Sequence, residues 1–190
     1  MKEQSIFTNL NFMNKKMIEN LVKNGDTVVD ATLGNGHDAL FLGKLIGPEG
    51  KLLGFDIQNV AVKKSSKRMK DEGISNYSFF IESHDKIDQY IDEASAIVFN
   101  LGYLPGASRE ITTRGTTTLE AIKKSVKILK KPGLISIMFY TGHPGGTEEM
   151  DMVLSYVKEL DKKEFDVLEF KHINGIKTAP FLLIIYKKGE

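Results

Sequence analysis

The sequence contains no cysteine and no tryptophan, and only five of its 190 residues are proline. Without cysteine, a disulfide framework, a thiolate metal site and a cysteine nucleophile are all excluded, and an intracellular, cytoplasmic protein is expected. No apolar run approaches the roughly 20 residues that span a bilayer, and residues 1–16 lack the continuous apolar core of a signal peptide. The formal net charge is only +1 at pH 7, so a nucleic-acid partner would have to meet a local basic patch.

Strand and helix patterns alternate along the chain, which predicts an α/β fold with a doubly wound, mostly parallel sheet. The chain has no repeat, low-complexity tract or linker, so one domain over residues 1–190 is expected. Asn174-Gly175 predicts a turn between the last two strands, and the last strand is expected to start after Pro180. The predicted strands are 27–31, 51–56, 77–83, 95–101, 134–140, 165–170 and 181–186, and the predicted helices are 14–24, 37–46, 59–72, 84–91, 116–130 and 147–160.

A glycine-rich turn, "DATLGNGHDA" (30–39), joins the first predicted strand to the following helix. Gly34, Gly36 and Ala39 match the GxGxxG/A pattern, and Asp56 follows Gly36 by 20 residues, the spacing of an acid that accepts ribose hydroxyls. The Walker A pattern of phosphate-binding loops is absent from this turn. The pattern predicts a site for an adenosine cofactor, where Gly34 and Gly36 let the backbone approach the ligand.

Two carboxylates beside this turn distinguish between adenosine cofactors. A pyrophosphate at a helix N-terminus favours N–H groups and is repelled by carboxylates, whereas S-adenosylmethionine carries an ammonium group, a carboxylate and a sulfonium cation. Asp30 precedes the turn, and Asp38 lies in the first turn of the helix. Asp38 has an alternative role as a helix-start residue favoured by the helix dipole, but a carboxylate that ends a buried strand, such as Asp30, needs a partner. The sequence therefore favours the methyl donor over a nicotinamide cofactor.

The fourth predicted strand ends in "FNLGYLPG" (99–106). Ligands of open α/β sheets lie beyond the carboxyl ends of the strands, so Asn100, Leu101, Gly102 and Tyr103 are expected beside the reactive methyl group as catalytic residues. An Asn side-chain oxygen can accept the hydrogens of an amine and aim its lone pair, and Tyr103 can stack on a base or on the sulfonium. The segment is similar to the Asn-Pro-Pro-aromatic signature of amino-group methyltransferases, with Leu-Gly in place of Pro-Pro; a structural turn is the alternative.

Five segments together resemble one family: "DATLGNGHDALFL", "GFDIQ", "FNLGYLPG", "TTRGTTT" and "YTGHPGG". This family was first described as rRNA methylases, and some members are tRNA (5-aminomethyl-2-thiouridine) methyltransferases. The resemblance covers essentially the whole chain. It implies the Rossmann-like class I methyltransferase fold, a mostly parallel seven-stranded sheet with a C-terminal antiparallel strand. Its implied reaction is S-adenosylmethionine-dependent methylation of the aminomethyl nitrogen on the wobble uridine, in the anticodon stem-loop of tRNA.

The resemblance also implies roles for single residues. Asp30, Asn35 and Asp38 would hold the methionine end of the donor, Asp56 would take the ribose, and His84 falls where this fold contacts adenine. A packed or capping histidine is the alternative for His84. The predicted cofactor-binding residues are Asp30, Thr32, Gly34, Asn35, Gly36, Asp38, Asp56, Gln58, His84 and Asn100.

The substrate side of the predicted site is less specific. Tyr140 and His143 follow the fifth strand, where they could line the substrate entrance, and an ordinary loop is the alternative for His143. The family commonly has two small residues and an acid after the proline of the acceptor segment, whereas this chain has Gly106, Ala107, Ser108 and Arg109, so the role of this loop stays open. The predicted substrate-binding residues are Tyr103, Arg109, Arg114, Tyr140 and His143.

Two groups of basic residues are candidates for contact with RNA phosphates, although a solvated face explains most such runs. The first group flanks the predicted acceptor site and is preferred. It comprises Arg109, Arg114, Lys123, Lys124, Lys127, Lys130 and Lys131; the second comprises Lys63, Lys64, Lys67, Arg68 and Lys70. No metal is expected, because the four histidines show no ligand spacing with acids.

Other functions stay open on the sequence alone. One is a methyltransferase that acts on another RNA amine, for example in rRNA, or on a small molecule. A nicotinamide-dependent oxidoreductase is disfavoured by the acids around the glycine turn and by the lack of a second substrate domain. A non-catalytic RNA-binding module is disfavoured by the intact acceptor segment. The tRNA isoacceptors and the oligomeric state, a homodimer included, are not determined by the sequence.

Overall fold

A computed structural model describes residues 9–102, 113–142, 144–176 and 179–189. The strands are β1 (Thr27–Asp30), β2 (Lys51–Asp56), β3 (Tyr77–Ile81), β4 (Ala94–Leu101), β5 (Leu129–Phe139), β6 (Phe165–Phe170) and β7 (Phe181–Lys187). The helices are α1 (Leu10–Leu21), α2 (His37–Ile46), α3 (Asn59–Asp71), α4 (Gly115–Ile128) and α5 (Gly146–Val157), and a short 3₁₀ helix covers His84–Gln89.

The strands form one seven-stranded sheet in the order β3-β2-β1-β4-β5-β7-β6. Strands β1 to β5 pair in parallel, and β7 pairs antiparallel with both β5 and β6. The predicted fold class is therefore confirmed, including the reversed C-terminal strand. The predicted turn lies at its expected place, where the Gly175 N–H donates to the His172 carbonyl, and β7 begins directly after Pro180.

Alternating side chains of the strands face two helical layers. In β1, Val28 packs with apolar residues of α1, α2 and α3, whereas the neighbouring Val29 packs with residues of α4 and α5. Both side chains are fully buried. This burial on both faces is why the strands have continuous apolar runs rather than alternating ones.

Two predicted boundaries are wrong for identifiable reasons. Helix α1 begins at Leu10 instead of residue 14, because the Asn9 side chain caps it by accepting the Phe12 N–H at 3.1 Å. Strand β5 begins at Leu129 instead of residue 134, and Leu129 pairs with Ala94 before a register shift. The segment Lys-Lys-Pro-Gly (130–133) interrupts the apolar pattern and conceals this first part of the strand.

The strand order reverses between β1 and β4, since the chain passes from β1 outward to β3 and then returns to β4 on the other side. A reversal of this kind opens a crevice beyond the carboxyl ends of the strands, where open α/β folds bind ligands. Asp30 ends β1 and Asp56 ends β2, while Asn100 is the penultimate residue of β4. These three predicted site residues thus come from β1, β2 and β4, at the edge of the sheet where this crevice opens.

Candidate active site at the carboxyl edge of the sheet

The glycine-rich turn after β1 adopts the left-handed backbone conformation that glycine favours, with φ of 51° at Gly34 and 73° at Gly36. Packing against α3 also requires a glycine at position 36, which was not part of the predicted role of Gly36. A Cβ at Gly36 would lie 2.7 Å from Oγ and 2.9 Å from Cα of Ser65. Close packing of the turn against α3 therefore needs a glycine at this position, independently of any ligand.

Asp56 connects the end of β2 to the glycine-rich turn. Its carboxylate accepts the backbone N–H of Gly34 at 3.0 Å and of Gln58 at 2.9 Å. Burial raises the pKa of Asp56, and these two backbone hydrogen bonds oppose the rise. Each carboxylate oxygen has a further lone pair, so Asp56 can shape the turn and still accept ribose hydroxyls, the role predicted for it.

Asp30 is almost completely buried, with 1% of its surface exposed. Its Oδ1 accepts the Thr32 N–H at 3.1 Å. The pKa of Asp30 is raised to about 8, mainly by burial and also by the negative charges of Asp38 and Asp56, while the backbone N–H groups of Thr32 and Ala39 oppose the rise. A carboxyl group in this environment is stabilised in its ionised form by a cation, so the position favours a positively charged ligand.

Asp38 and Asn100 are directly joined. The side-chain amide of Asn100 donates a hydrogen bond to Oδ2 of Asp38, and the Asn100 backbone N–H donates to Oγ1 of Thr32 at 2.7 Å. Only the NH₂ end of the amide can donate to a carboxylate. The side-chain oxygen of Asn100 is therefore turned away from Asp38 and can accept hydrogens from another group.

Helix α1 brings two residues to the site that were not predicted. Lys15 Nζ lies 3.8 Å from Oδ1 of Asp38 and 5.1 Å from the centre of the Phe41 ring. Asn11 hydrogen-bonds the side chain of Tyr140, whose pKa is raised by burial and by the charge of Asp38. The sequence contains a signal for both, because Asn11 and Lys15 precede the buried Ile18 and Val22 at i, i+4, i+7 and i+11 spacing and so lie on a face of α1 that packs on the protein.

His84 lies at the start of the 3₁₀ helix, beside the end of β1, and 9% of its surface is exposed. Burial lowers the pKa of His84, while a hydrogen bond to the backbone of Ala31 and the charge of Asp85 oppose this effect. Its ring meets Phe99 edge-on at 5.7 Å. Nε2 is buried and has no hydrogen-bond partner among the described residues; contact of His84 with adenine stays a prediction.

Asn35 is placed differently from Asp30 and Asp38. It lines a cleft on the α3 side of the turn together with His37 and basic residues of α3, and its carbonyl accepts from Nε of Arg68 at 2.9 Å. Its predicted contact with the methionine end of the donor stays untested.

The acceptor segment is described only in part. Leu101 is 1% exposed and packs in the core, so its side chain does not face the crevice and only its main chain could contribute to catalysis. Gly102 is half-buried at the end of the described segment. Three predicted residues, Tyr103, Arg109 and His143, lie outside the described residues, as do Gly106, Ala107 and Ser108.

The preferred basic group does not form one surface beside the acceptor site, and this part of the prediction is wrong. Arg114 is exposed at the N-terminus of α4, on the ligand edge. Lys130 and Lys131 begin β5 at the opposite edge, where they pair with Asp26 at 3.5 Å and Glu164 at 3.0 Å. The 14 residues of α4 extend about 21 Å at 1.5 Å per residue. Residues that precede and follow this helix in the sequence therefore lie far apart.

No group of three or more histidine and acidic side chains among the described residues is placed to hold a metal ion. No helix among the described ranges is long and apolar enough to cross a membrane.

Comparison with known proteins identifies the family. The family model described as "Putative rRNA methylase" matches residues 52–186. A chloroplastic tRNA (mnm(5)s(2)U34)-methyltransferase from Arabidopsis thaliana is 35% identical over an alignment of 183 residues, and the match covers 90% of this chain and 66% of that relative. The chain thus spans slightly less than two thirds of the length of that relative.

Solved structures agree. A "putative rRNA-methylase" from Clostridium thermocellum is 38% identical with a TM-score of 0.92, covering 95% of this chain and 98% of that one. A "putative methyltransferase" from Streptococcus mutans in complex with SAH is 35% identical with a TM-score of 0.85, covering 98% and 99%. The chain therefore belongs to the rRNA methylase family of class I, S-adenosylmethionine-dependent methyltransferases.

Proposed function

We propose that the protein transfers a methyl group from S-adenosylmethionine to the aminomethyl nitrogen of 5-aminomethyl-2-thiouridine at the wobble position of tRNA, in the cytoplasm. The observation that carries this proposal is the placement of Asn100 beside the acidic pair Asp30 and Asp38 at the crevice. The Arabidopsis thaliana relative, a tRNA (mnm(5)s(2)U34)-methyltransferase, supports the same substrate. The product would be 5-methylaminomethyl-2-thiouridine.

The residues of the crevice fit the donor. When bound, S-adenosylmethionine supplies a methyl group activated by its positive sulfur. Asp30 and Asp38 provide negative charge for the ammonium group and the sulfonium, and Asp56 provides acceptors for the ribose. Lys15, next to Asp38, provides a cation for the donor's carboxylate, which two acids alone would repel.

Asn100 supplies the acceptor side of the proposed reaction. Its side-chain oxygen points away from Asp38 and can accept an N–H of the substrate amine, which holds the amine in one orientation. Because the amine must be neutral to present a lone pair, an amine that has already lost its proton to water needs no general base. Asp38 contributes by holding the Asn100 amide in place.

The contact with tRNA is proposed at the same edge of the sheet. Arg114 is exposed at the N-terminus of α4, close in sequence to the acceptor segment, and a guanidinium group suits a phosphate oxygen. We place the anticodon stem-loop over this edge, since the target nucleotide must enter the crevice. The oligomeric state, including a homodimer, is open.

A methyl-transfer assay tests the proposal. Purified tRNA that carries the aminomethyl group should accept labelled methyl from S-adenosylmethionine, and otherwise identical tRNA that lacks this amine should accept none. Equal labelling of both would show that another atom is the acceptor. Labelling of rRNA alone would instead indicate an rRNA methylase. Asn100→Ala is the control that shows whether the transfer depends on this protein.

A further inference from the structure

One buried carboxylate has no part in the site described above. Glu149 lies in the first turn of α5 with 1% of its surface exposed. Its Oε1 accepts the hydroxyl of Thr118 at 2.5 Å, and its Oε2 accepts the hydroxyl of Thr113 at 2.8 Å. Burial of a carboxylate is unfavourable unless hydrogen bonds compensate it, and the two threonine hydroxyls provide such hydrogen bonds here.

Thr113 links Glu149 to the acceptor segment. The Gly102 N–H donates to Oγ1 of Thr113 at 3.1 Å, and the Thr113 N–H donates to the Gly102 carbonyl at 3.0 Å. A hydroxyl has one proton and two lone pairs. Because the Thr113 hydroxyl donates its hydrogen to Glu149, one of its lone pairs is left to accept the Gly102 N–H.

Gly102 needs such an external restraint. Its φ of 143° is a conformation that only glycine adopts readily, and glycine has the most freedom to leave it. It follows Asn100 by two residues at the end of β4. Movement of Gly102 would therefore change the position of the Asn100 side chain at the crevice.

Glu149 itself is rigidly placed. A Cβ at Gly115 would lie 3.1 Å from Cα of Glu149 and 2.8 Å from Sδ of Met152. The N-terminal turns of α4 and α5 thus pack closely at this point, and the Glu149 N–H donates to the Gly145 carbonyl at 2.9 Å. The carboxylate extends from a fixed backbone.

We propose that Glu149 is a positioning residue for methyl transfer, which through the Thr113 hydroxyl holds Gly102 and, with it, Asn100 in the orientation that receives the acceptor amine. This inference rests on the proposed role of Asn100. Thr118 offers a matched comparison, because it binds the other oxygen of the same carboxylate but belongs to α4 and makes no contact with Gly102 in the described hydrogen bonds.

The test compares three threonine substitutions in the full-length protein. Thr113→Val removes the hydroxyl at nearly constant shape, Thr113→Ser keeps it, and Thr118→Val removes the other partner of Glu149. Turnover with aminomethyl tRNA at saturating donor should fall by about tenfold to a hundredfold in Thr113→Val, the scale of a small misplacement of a reacting group. It should stay within about twofold of wild type in Thr113→Ser and Thr118→Val, while the affinity for S-adenosylhomocysteine and the KM for tRNA change little in all three.

Equal loss of turnover in Thr113→Val and Thr118→Val would overturn the proposal, since it would reduce Glu149 to a structural link between helices. If Thr113→Val is too unstable to assay, amide hydrogen exchange decides: Gly102 should exchange faster in Glu149→Gln than in Thr118→Val, and equal rates contradict the inference. Failure of the proposed function would look different, because the wild-type protein itself would then methylate another RNA. The same substitutions measured on that RNA would still test Glu149.

Discussion

The side-chain amide of Asn100 donates a hydrogen bond to the carboxylate of Asp38, although the two residues lie 62 positions apart in the sequence. The bond joins the residue predicted to orient the acceptor to a residue predicted to hold the donor. In the proposed function Asp38 thus has two tasks, and its effect on methyl transfer would pass through Asn100. Single and double substitutions of Asp38 and Asn100 can therefore distinguish an effect on donor binding from an effect on methyl transfer.

Asn100→Ala should raise the barrier for methyl transfer by about 2–4 kcal/mol, the scale of one positioned polar group. Asp38→Ala should also slow transfer, because the Asn100 amide loses its acceptor. If Asp38 acts through Asn100, the double substitution should be no slower than Asn100→Ala alone. Single-turnover rates at saturating donor measure this, and fully additive losses would show that Asp38 acts independently.

Donor binding should depend on pH through Asp30. Without donor, the pKa of Asp30 is about 8, so the group is mostly protonated at neutral pH, and a bound cation favours its ionised form. Affinity for S-adenosylmethionine should therefore rise with pH until about 8 and level off above it, with proton release at neutral pH. Calorimetry in buffers of different ionisation enthalpy detects this release, and Asp30→Asn should remove it; a wild-type protein with pH-independent affinity would refute the assignment.

The stability of the donor-free protein should also depend on the ionisation of Asp30. It should fall as pH rises, whereas the affinity for the donor should rise. The folded-state pKa of Asp30 is raised from 3.8 to about 8, so the protonated carboxyl stabilises the fold fully below 3.8, and this contribution is lost as pH rises to about 8. Asp30→Asn, which cannot ionise, should unfold at a higher temperature than wild type above pH 8. Thermal unfolding with an unchanged or lower Tm in this variant would contradict the account.

Lys15 should recognise the carboxylate of the donor. Lys15→Met keeps the apolar stem but removes the charge, and it should weaken binding of S-adenosylhomocysteine by about 1.5–3 kcal/mol, the scale of a hydrogen bond to a charged group. Binding of the decarboxylated analogue should not change. Lys16→Met is the matched control, since Lys16 pairs with Glu19 on the same helix; equal loss for both ligands in Lys15→Met would remove this role.

Arg114 should contribute to tRNA binding through phosphate. Arg114→Gln should weaken binding and reduce the slope of log affinity against log salt by about 1, without an effect on donor affinity. Lys131→Gln provides the comparison, because Lys131 lies at the opposite edge of the sheet. Equal effects of the two substitutions would show that Arg114 has no specific place in the interface.

Local patterns were sufficient to predict much of this fold. The glycine-rich turn, the acids that end β1 and β2, and the hairpin before β7 follow from turn chemistry and apolar runs, which depend on neighbours in sequence. The reversal of strand order then places Asp30, Asp56 and Asn100 at one crevice by topology alone.

Features that depend on packing between distant elements were not predictable in this way. Lys15 reaches Asp38 because α1 packs against β5 and β7, and Glu149 reaches Thr113 because α4 and α5 pack closely at Gly115. Lys131 was misplaced because helix α4 separates residues that adjoin Arg114 only in sequence. In each case the partner is determined by tertiary contacts.

The most direct test of the central claim is nucleoside mass spectrometry of tRNA from cells that lack this protein. We expect 5-methylaminomethyl-2-thiouridine to disappear and 5-aminomethyl-2-thiouridine to accumulate. The wild-type sequence should restore the product, and Asn100→Ala should not. An unchanged level of 5-methylaminomethyl-2-thiouridine in the deletion strain, with no related enzyme present, would contradict the proposed reaction.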